Sequence, residues 1–253
     1  MTKFTKTGHY ISRRIGKAIG DYDMIRDGDR ILVGVSGGKD SLTLLKLLRE
    51  RQRWSPVKYD LLCAHVRTDT RCAACVHAET LEKLFEKLEV TYRIKEIRVL
   101  DKEGKTNCFW CSWNRRKALF ETAKELGCTK IALGHHKDDI VETTLLNIFF
   151  HGEFASMNPR QELFKGAIVI IRPLCCVEEK MTRKFAKENN FPSQLCRCPF
   201  SQDSKRKLMK EFLNSVERDY PYIKTNIFNS ASRIKDEYLQ LKPEGSSDLV
   251  HDK

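Results

Sequence analysis

The chain has 253 residues, with 46 Lys and Arg against 34 Asp and Glu, and a net charge of +12. That length buries a full core without disulfides, and the charge points to a polyanion such as a folded RNA gripped along its phosphates. No run approaches a membrane span, and Met1-Thr2-Lys3-Phe4-Thr5-Lys6 lacks the apolar stretch of a secretory leader, so the expectation is a cytoplasmic protein with no membrane partner and ten reduced cysteines.

Residues 11–22 have helical spacing and predict a leading helix. Residues 31–35 are an apolar run that predicts the first strand. Ser36-Gly37-Gly38-Lys39-Asp40-Ser41 follows at once, and helical spacing takes over across 41–51. A strand, a glycine turn and a helix N-terminus make an anion site, because unpaired N–H groups and the helix dipole both favour negative charge there. Gly37 and Gly38 allow close approach of the backbone or positive φ, and Lys39 adds a point charge for phosphate. The spacing is not that of a Walker loop: Val33 stands where its first glycine belongs, and Asp40 follows the lysine where Ser or Thr is required. An acid inside a phosphate cradle implies bound Mg²⁺, or a loop that holds pyrophosphate as a leaving group. A plain glycine turn with a serine cap explains a lone Ser-Gly-Gly, but not all six residues in this context.

Residues 59–66 predict the second strand, 78–88 a helix and 90–97 the third strand. A helix over 114–126 comes next, then a short strand over 130–133 and a largely apolar helix over 139–150. Residues 167–171 predict a fifth strand, stopped by Pro173. Two amphipathic helices, 178–189 and 204–218, complete the pattern. Alternating strands and helices predict an α/β fold, a doubly wound parallel sheet of about five strands with terminal helices. The expected organisation is a helical segment at 1–28, a nucleotide-binding domain at 29–217, a helical segment at 218–240 and a disordered tail at 241–253. Ligands of such sheets sit beyond the carboxyl ends of the strands, which is where residues 36–41 fall.

Two further motifs share that edge. Cys108-Phe109-Trp110-Cys111 lies just before a predicted helix, and two thiolates at this spacing chelate one metal ion or cluster. The helix end, with Arg115 and Arg116 near, favours their ionisation. Downstream, Cys196-Arg197-Cys198-Pro199 could bring a third cysteine. Three ligands on a four-iron cluster leave one iron open to a sulfur species; zinc held by four thiolates is the structural alternative, and thioredoxin-like disulfide chemistry a third. Cys72-Ala73-Ala74-Cys75 either forms a separate metal site, with Cys196 as a further ligand, or is incidental. Cys63, Cys128, Cys175 and Cys176 have apolar neighbours and read as core. Gly134-His135-His136-Lys137-Asp138-Asp139 opens the helix after the fourth strand. Asp138 or Asp139 can cap that helix, or hold Mg²⁺ opposite the phosphate loop, and His135 or His136 can meet phosphate or base.

Residues 36–41, 108–111 and 134–139, in this order, resemble the motifs of the PP-loop ATP pyrophosphatases, and most closely those of the tRNA 2-thiocytidine synthetases. The resemblance extends to Asp21-Tyr22-Asp23-Met24-Ile25, Gly28-Asp29-Arg30, Glu103-Gly104-Lys105-Thr106, Lys130-Ile131-Ala132-Leu133 and Ile171-Arg172-Pro173-Leu174, over roughly residues 13–240. It implies an enzyme that adenylates the C2 oxygen of a tRNA cytidine (position 32 of the anticodon loop in family members) with ATP. Sulfur delivered through a [4Fe-4S] cluster then replaces the oxygen. By this resemblance Ser36, Gly37, Gly38, Lys39, Asp40, Ser41, Gly134 and His135 hold the nucleotide, and Asp40 with Asp138 or Asp139 holds Mg²⁺. The resemblance also implies that Cys108, Cys111 and Cys198 hold the cluster; Arg115 or Arg116, one helical turn beyond Cys111, can face substrate phosphate. Pro199-Phe200 stands where the family has glycine before Ser201-Gln202, which leaves Cys196 as an alternative third ligand, and the Cys72 pair lies outside the family pattern. tRNA, a sulfur donor such as a cysteine desulfurase persulfide, and a second copy of the chain are the implied partners. The alternatives are thiolation of another nucleobase or a small molecule, an amine-transferring relative that would leave the cysteines unused, and a zinc-containing RNA-binding protein that would leave residues 36–41 unexplained.

Overall fold

The computed structural model describes residues 5–70, 76–192, 204–235 and 237. Helix α1 (Lys6–Asp21) is capped by Thr5, whose hydroxyl accepts the Gly8 N–H at 3.0 Å. Four strand–helix units follow: β1 (Asp29–Gly34) with α2 (Lys39–Arg51), β2 (Tyr59–Thr68) with α3 (Val76–Lys87), β3 (Thr91–Ile97) with α4 (Cys108–Glu125), and β4 (Lys130–Leu133) with α5 (Lys137–His151). Then come β5 (Arg160–Leu163), β6 (Ile168–Ile171), α6 (Glu179–Glu188), α7 (Ser204–Asp219) and α8 (Ile223–Ser230).

The strands form one sheet in the order β3-β2-β1-β4-β6-β5. The first five of these are parallel, and β5 runs antiparallel to β6. The chain travels outward from β1 to β3, then returns to β4 on the other side of β1. A crevice opens where the strand order reverses, between the carboxyl ends of β1 and β4. At the opposite ends Lys130 Nζ reaches Asp29 Oδ2 at 2.6 Å and the Met24 carbonyl at 3.0 Å, so the two strands are tied at their amino ends.

Both faces of the sheet are covered, which is why β1 reads as a continuous apolar run. Ile31 and Val33 pack with the leucines of α2, Ile11 and Ile15 of α1, and Phe185 of α6. Leu32, Leu62 and Ile131 face the other way, against Ala123, Leu119 and Phe120 of α4. Val141 and Leu145 of α5 meet Met209 and Leu213 of α7. No described helix is long and apolar enough to cross a membrane.

Two features depart from expectation. The sheet has a sixth strand, β5, whose sequence Arg160-Gln161-Glu162-Leu163 lacks any β-branched residue. As an edge strand it is held by pairing with β6, from Arg160 opposite Ile171 to Leu163 opposite Ile168, rather than by burial. Secondly, α4 begins at Cys108 rather than at 114, α2 at Lys39 rather than 41, and α5 at Lys137 rather than 139. These first turns carry polar, sulfur or exposed aromatic side chains at the crevice rim, so apolar periodicity starts only where each helix reaches the core.

Candidate active site

The loop after β1 is built to leave donors open. Gly37 takes φ +86°, a conformation that disfavours any side chain. Gly38 is the N-cap of α2 and has no side chain to satisfy the first-turn N–H groups, which stay available to an acceptor. Around them the loop closes on itself. Ser36 Oγ lies 3.2 Å from Ser41 Oγ and accepts the Gly38 N–H at 3.3 Å, while Ser41 Oγ donates to the Gly38 carbonyl at 2.9 Å.

The turn after β4 presses on this loop. A Cβ on Gly134 would stand 2.8 Å from Ser41 N and 3.0 Å from the Asp40 carbonyl carbon, closer than packed atoms allow. Glycine at 134 therefore sets the separation of the two turns. His136, not Asp138 or Asp139, is the N-cap of α5. Its Nδ1 accepts the Asp139 N–H at 3.3 Å, and Asp139 Oδ2 accepts the His136 N–H at 3.0 Å, a reciprocal capping box. His135 has a buried Nδ1 with no hydrogen-bond partner among the described residues. Burial and then Arg172 lower its pKa to about 4, so at neutral pH it is an uncharged imidazole with an open ring nitrogen.

Side chains from α6 and α7 support both turns from behind. Lys39 Nζ sits between Asp40 Oδ2 at 2.9 Å and Glu179 Oε1 at 3.0 Å. Thr182 Oγ1 donates to Asp40 Oδ1 at 2.5 Å. Burial pushes the Glu179 carboxyl up, but hydrogen bonds from Lys210 and Lys39 outweigh it and hold that carboxyl well below the usual range. Arg206 bridges Asp139 Oδ1 at 3.0 Å and Glu142 Oε2 at 3.1 Å. Nothing in the sequence pattern pointed to Glu179, Thr182 or Glu142. Each lies on a helix flank, and Thr182 is 142 residues from its partner Asp40. Arg206 and Lys210, two of the chain's many basic residues, turn to carboxylates of the site.

Asp138 is placed differently. Its Oδ2 accepts the Glu179 N–H at 2.7 Å at the start of α6, and its Oδ1 pairs with Lys224 at 2.8 Å. It is buried and lines a separate depression with Glu178, Glu217 and Lys224, not the crevice. The expected pairing of Asp138 with Asp40 at a metal gains no support from this position.

The crevice is a cleft of about 380 Å³. Ser36, Gly38, Asp40, Ser41, Gly134, His135 and Asp139 line its polar side. Gly34, Val35, Ala64, Val66, Leu119 and Leu133 line its apolar side. Ser112, Arg115 and Arg116 of α4 close it. Neither arginine forms a hydrogen bond or an ion pair among the described residues, so both cations remain available to an anion. Cys108 and Cys111 occupy the first turn of the same helix, Cys108 exposed and Cys111 half-buried. Asn107 caps that turn by accepting the Trp110 N–H at 2.8 Å. Two sulfur donors at i and i+3 of a helix lie on one side of it, a spacing that suits a shared metal ion or cluster. Cys72, Cys75, Cys196, Cys198, Pro199, Phe200, Ser201 and Gln202 lie outside the described residues. Cys63, Cys128 and Cys175 are buried as expected. Cys176 is half-buried, its sulfur 3.8 Å from that of Cys175.

A phosphate loop of this spacing, at the switch point of a doubly wound sheet, defines a nucleotide-binding α/β protein of the PP-loop class. The sequence profile of the PP-loop domain matches residues 8–194. A tRNA-cytidine(32) 2-sulfurtransferase of Geobacter sulfurreducens is 39% identical over 239 residues, 90% of this chain and 91% of that protein. One from Aliivibrio fischeri strain MJ11 is 40% identical over 93% of this chain and 78% of its own. In structure the chain is similar to the U34-tRNA thiolase NcsA from Methanococcus maripaludis, solved with its [4Fe-4S] cluster. The TM-score is 0.75 at 23% identity, over 90% of this chain and 78% of that one, a likeness of fold. The chain belongs to the PP-loop family and, within it, to the sulfurtransferase enzymes that the first two relatives represent.

Proposed function

We propose that this enzyme replaces the C2 oxygen of a tRNA cytidine, position 32 of the anticodon loop, with sulfur at the expense of ATP. One observation carries the reading. Helix α4 lends Ser112, Arg115 and Arg116 to the cleft that the two glycine turns line, and its cysteine turn, Cys108 to Cys111, directly precedes them. Nucleotide chemistry and sulfur chemistry then converge on one base. The relatives named for this reaction support the choice of substrate.

In the proposed reaction, cytidine O2 attacks the α-phosphorus of ATP. The O–P bond forms and pyrophosphate leaves. The open N–H groups at residues 39–41 and the charge of Lys39 stabilise the negative charge that builds on it. The apolar wall of Val35, Ala64, Val66 and Leu119 receives the adenine, and His135 offers its unpartnered nitrogen to the nucleotide. Mg²⁺ held by Asp40 and Asp139, the two carboxylates of the cleft, would neutralise phosphate oxygens. The adenylated oxygen is a good leaving group. Sulfur at the hydrosulfide level attacks C2, the C–S bond forms, and the C–O bond breaks to release AMP. When bound, a [4Fe-4S] cluster held by Cys108, Cys111 and Cys198 supplies an iron open to that sulfur. Arg115 steadies the tRNA phosphate. A cytoplasmic persulfide donor, such as a cysteine desulfurase, provides the sulfur, and a thiol reductant supplies the two electrons that bring it to the hydrosulfide level. Asp138 serves as a positioning residue that joins α5 to α6 and α8.

Mass spectrometry of tRNA nucleosides from a deletion strain tests the reading. 2-Thiocytidine disappears and returns on complementation. Undiminished 2-thiocytidine in the deletion strain would overturn it.

A further inference from the structure

The first three turns of α4 carry a row of side chains that the reaction above does not use. Phe109, Trp110 and Trp113 are 77%, 49% and 45% exposed. The indoles of Trp110 and Trp113 lie nearly parallel, with centroids 5.7 Å apart and 12° between their planes. Lys117 Nζ stands 5.7 Å from the Trp113 ring centroid. Spacings of three and four residues place positions 109, 110, 113 and 117 along one stripe of the helix. The residues that bury α4, namely Ala118, Thr122 and Ala123, come later along it. Its first turns are therefore free of the core, and an apolar patch of three large rings left in water marks a binding surface.

Position and charge say what binds there. Ser112, Arg115 and Arg116, on the same turns, line the cleft, so the rings stand beside the reacting centre. Arg115-Arg116-Lys117 gives three consecutive cations. Flat rings among cations fit the faces of unpaired bases, with their phosphates on the basic residues. A duplex keeps its base faces stacked inside and cannot use such rings. We propose that Trp110 and Trp113, with Phe109, form a stacking platform for unpaired bases next to the reacting cytidine, so that the enzyme selects an RNA loop over a helix. This rests on reading the chain as a tRNA-modifying enzyme.

The chain has three tryptophans, so Trp54→Phe leaves Trp110 and Trp113 as the only indoles. Trp54 itself stacks on Arg51, on α2. The holoenzyme carrying Trp54→Phe is titrated with an anticodon stem-loop and with a fully paired RNA of equal length. The stem-loop quenches the indole fluorescence and the duplex does not. Replacing Trp110 and Trp113 together by Ala weakens stem-loop binding by about 5- to 100-fold. ATP affinity and the iron absorbance stay as in the parent, and the Phe pair recovers most of the binding. Stem-loop binding without quenching, equal competition by the duplex, or a fully competent alanine pair would each overturn the platform while the parent still thiolates tRNA. A parent that neither binds the stem-loop nor thiolates it overturns the function as well.

Discussion

The β1–β4 crevice and the amino-terminal turns of α4 face one another but are built on opposite plans. The crevice is closed and supported. Its two glycine turns touch through Gly134, cap themselves with Ser36, Ser41 and His136, and rest on Glu179, Thr182 and Arg206 from two later helices. The turns of α4 are open, with an exposed Cys108, three exposed rings and two arginines without a hydrogen bond or ion pair among the described residues. Phosphate chemistry needs donors fixed before charge builds, because ordering them during the reaction would raise the barrier. Delivery of sulfur to a base in a large RNA needs access instead. In the proposed reaction one cleft meets both demands, with the glycine turns as one wall and α4 as the other.

The contrast predicts that the two walls fail separately. Cys108→Ala has the largest effect: iron content and thiolation fall to background under anaerobic purification, while the ATP dissociation constant is unchanged. A variant that keeps its iron would detach Cys108 from the sulfur side. Gly134→Ala acts on the other wall. The new Cβ meets the backbone at Ser41, and overpacking of about 1–3 kcal/mol should weaken ATP binding by about 5- to 150-fold with the iron absorbance intact. Calorimetric titration with ATP measures it, and parental affinity would mean that the turns do not act as one cradle.

Asp138→Asn separates support from chemistry. The carboxylate is buried against Lys224 and the Glu179 N–H, so its neutralisation should lower unfolding free energy by about 3 kcal/mol. The Mg²⁺ concentration for half-maximal rate should shift by less than about 3-fold. A large shift with unchanged stability would return Asp138 to the metal.

The effect that vanishes at neutral pH concerns His135. Its folded pKa of about 4 lies below the ordinary 6.5. Between these values the unfolded chain takes up a proton that the folded chain refuses, so stability falls as pH falls, by about 1.4 kcal/mol per pH unit. Above pH 7 both states are neutral and the group contributes no slope. Urea unfolding of the parent and of His135→Asn should therefore diverge only below about pH 6.5, with the steeper decline in the parent. Parallel curves would place the imidazole in water.

How much of this was legible in the sequence follows the same division. Residues 36–41 and 134–139 are contiguous, and glycines, lysine and acids announce their backbone geometry directly. The parallel strands were legible because burial on two faces makes them continuous apolar runs. β5 was not, because an edge strand needs no such run. The true start of α4 was hidden for a related reason. Its first turns face solvent and site, so Cys108 to Trp113 show no helical alternation although they form a helix. The supports Glu179, Thr182, Glu142 and Arg206 reach the loops only through the tertiary fold. Asp138 and Asp139 are adjacent in sequence, yet successive helical positions point about 100° apart, so one lines the cleft and the other joins α6.

The central claim is that the oxygen removed from the base leaves on the α-phosphate of ATP. A synthetic anticodon stem-loop carrying ¹⁸O at C2 of the target cytidine tests it most directly, with the holoenzyme, ATP and a sulfide source under anaerobic conditions. Mass spectrometry should find the label in AMP, in step with 2-thiocytidine formed. Label retained in the RNA, or released in phosphate or water while 2-thiocytidine accumulates, would contradict the account.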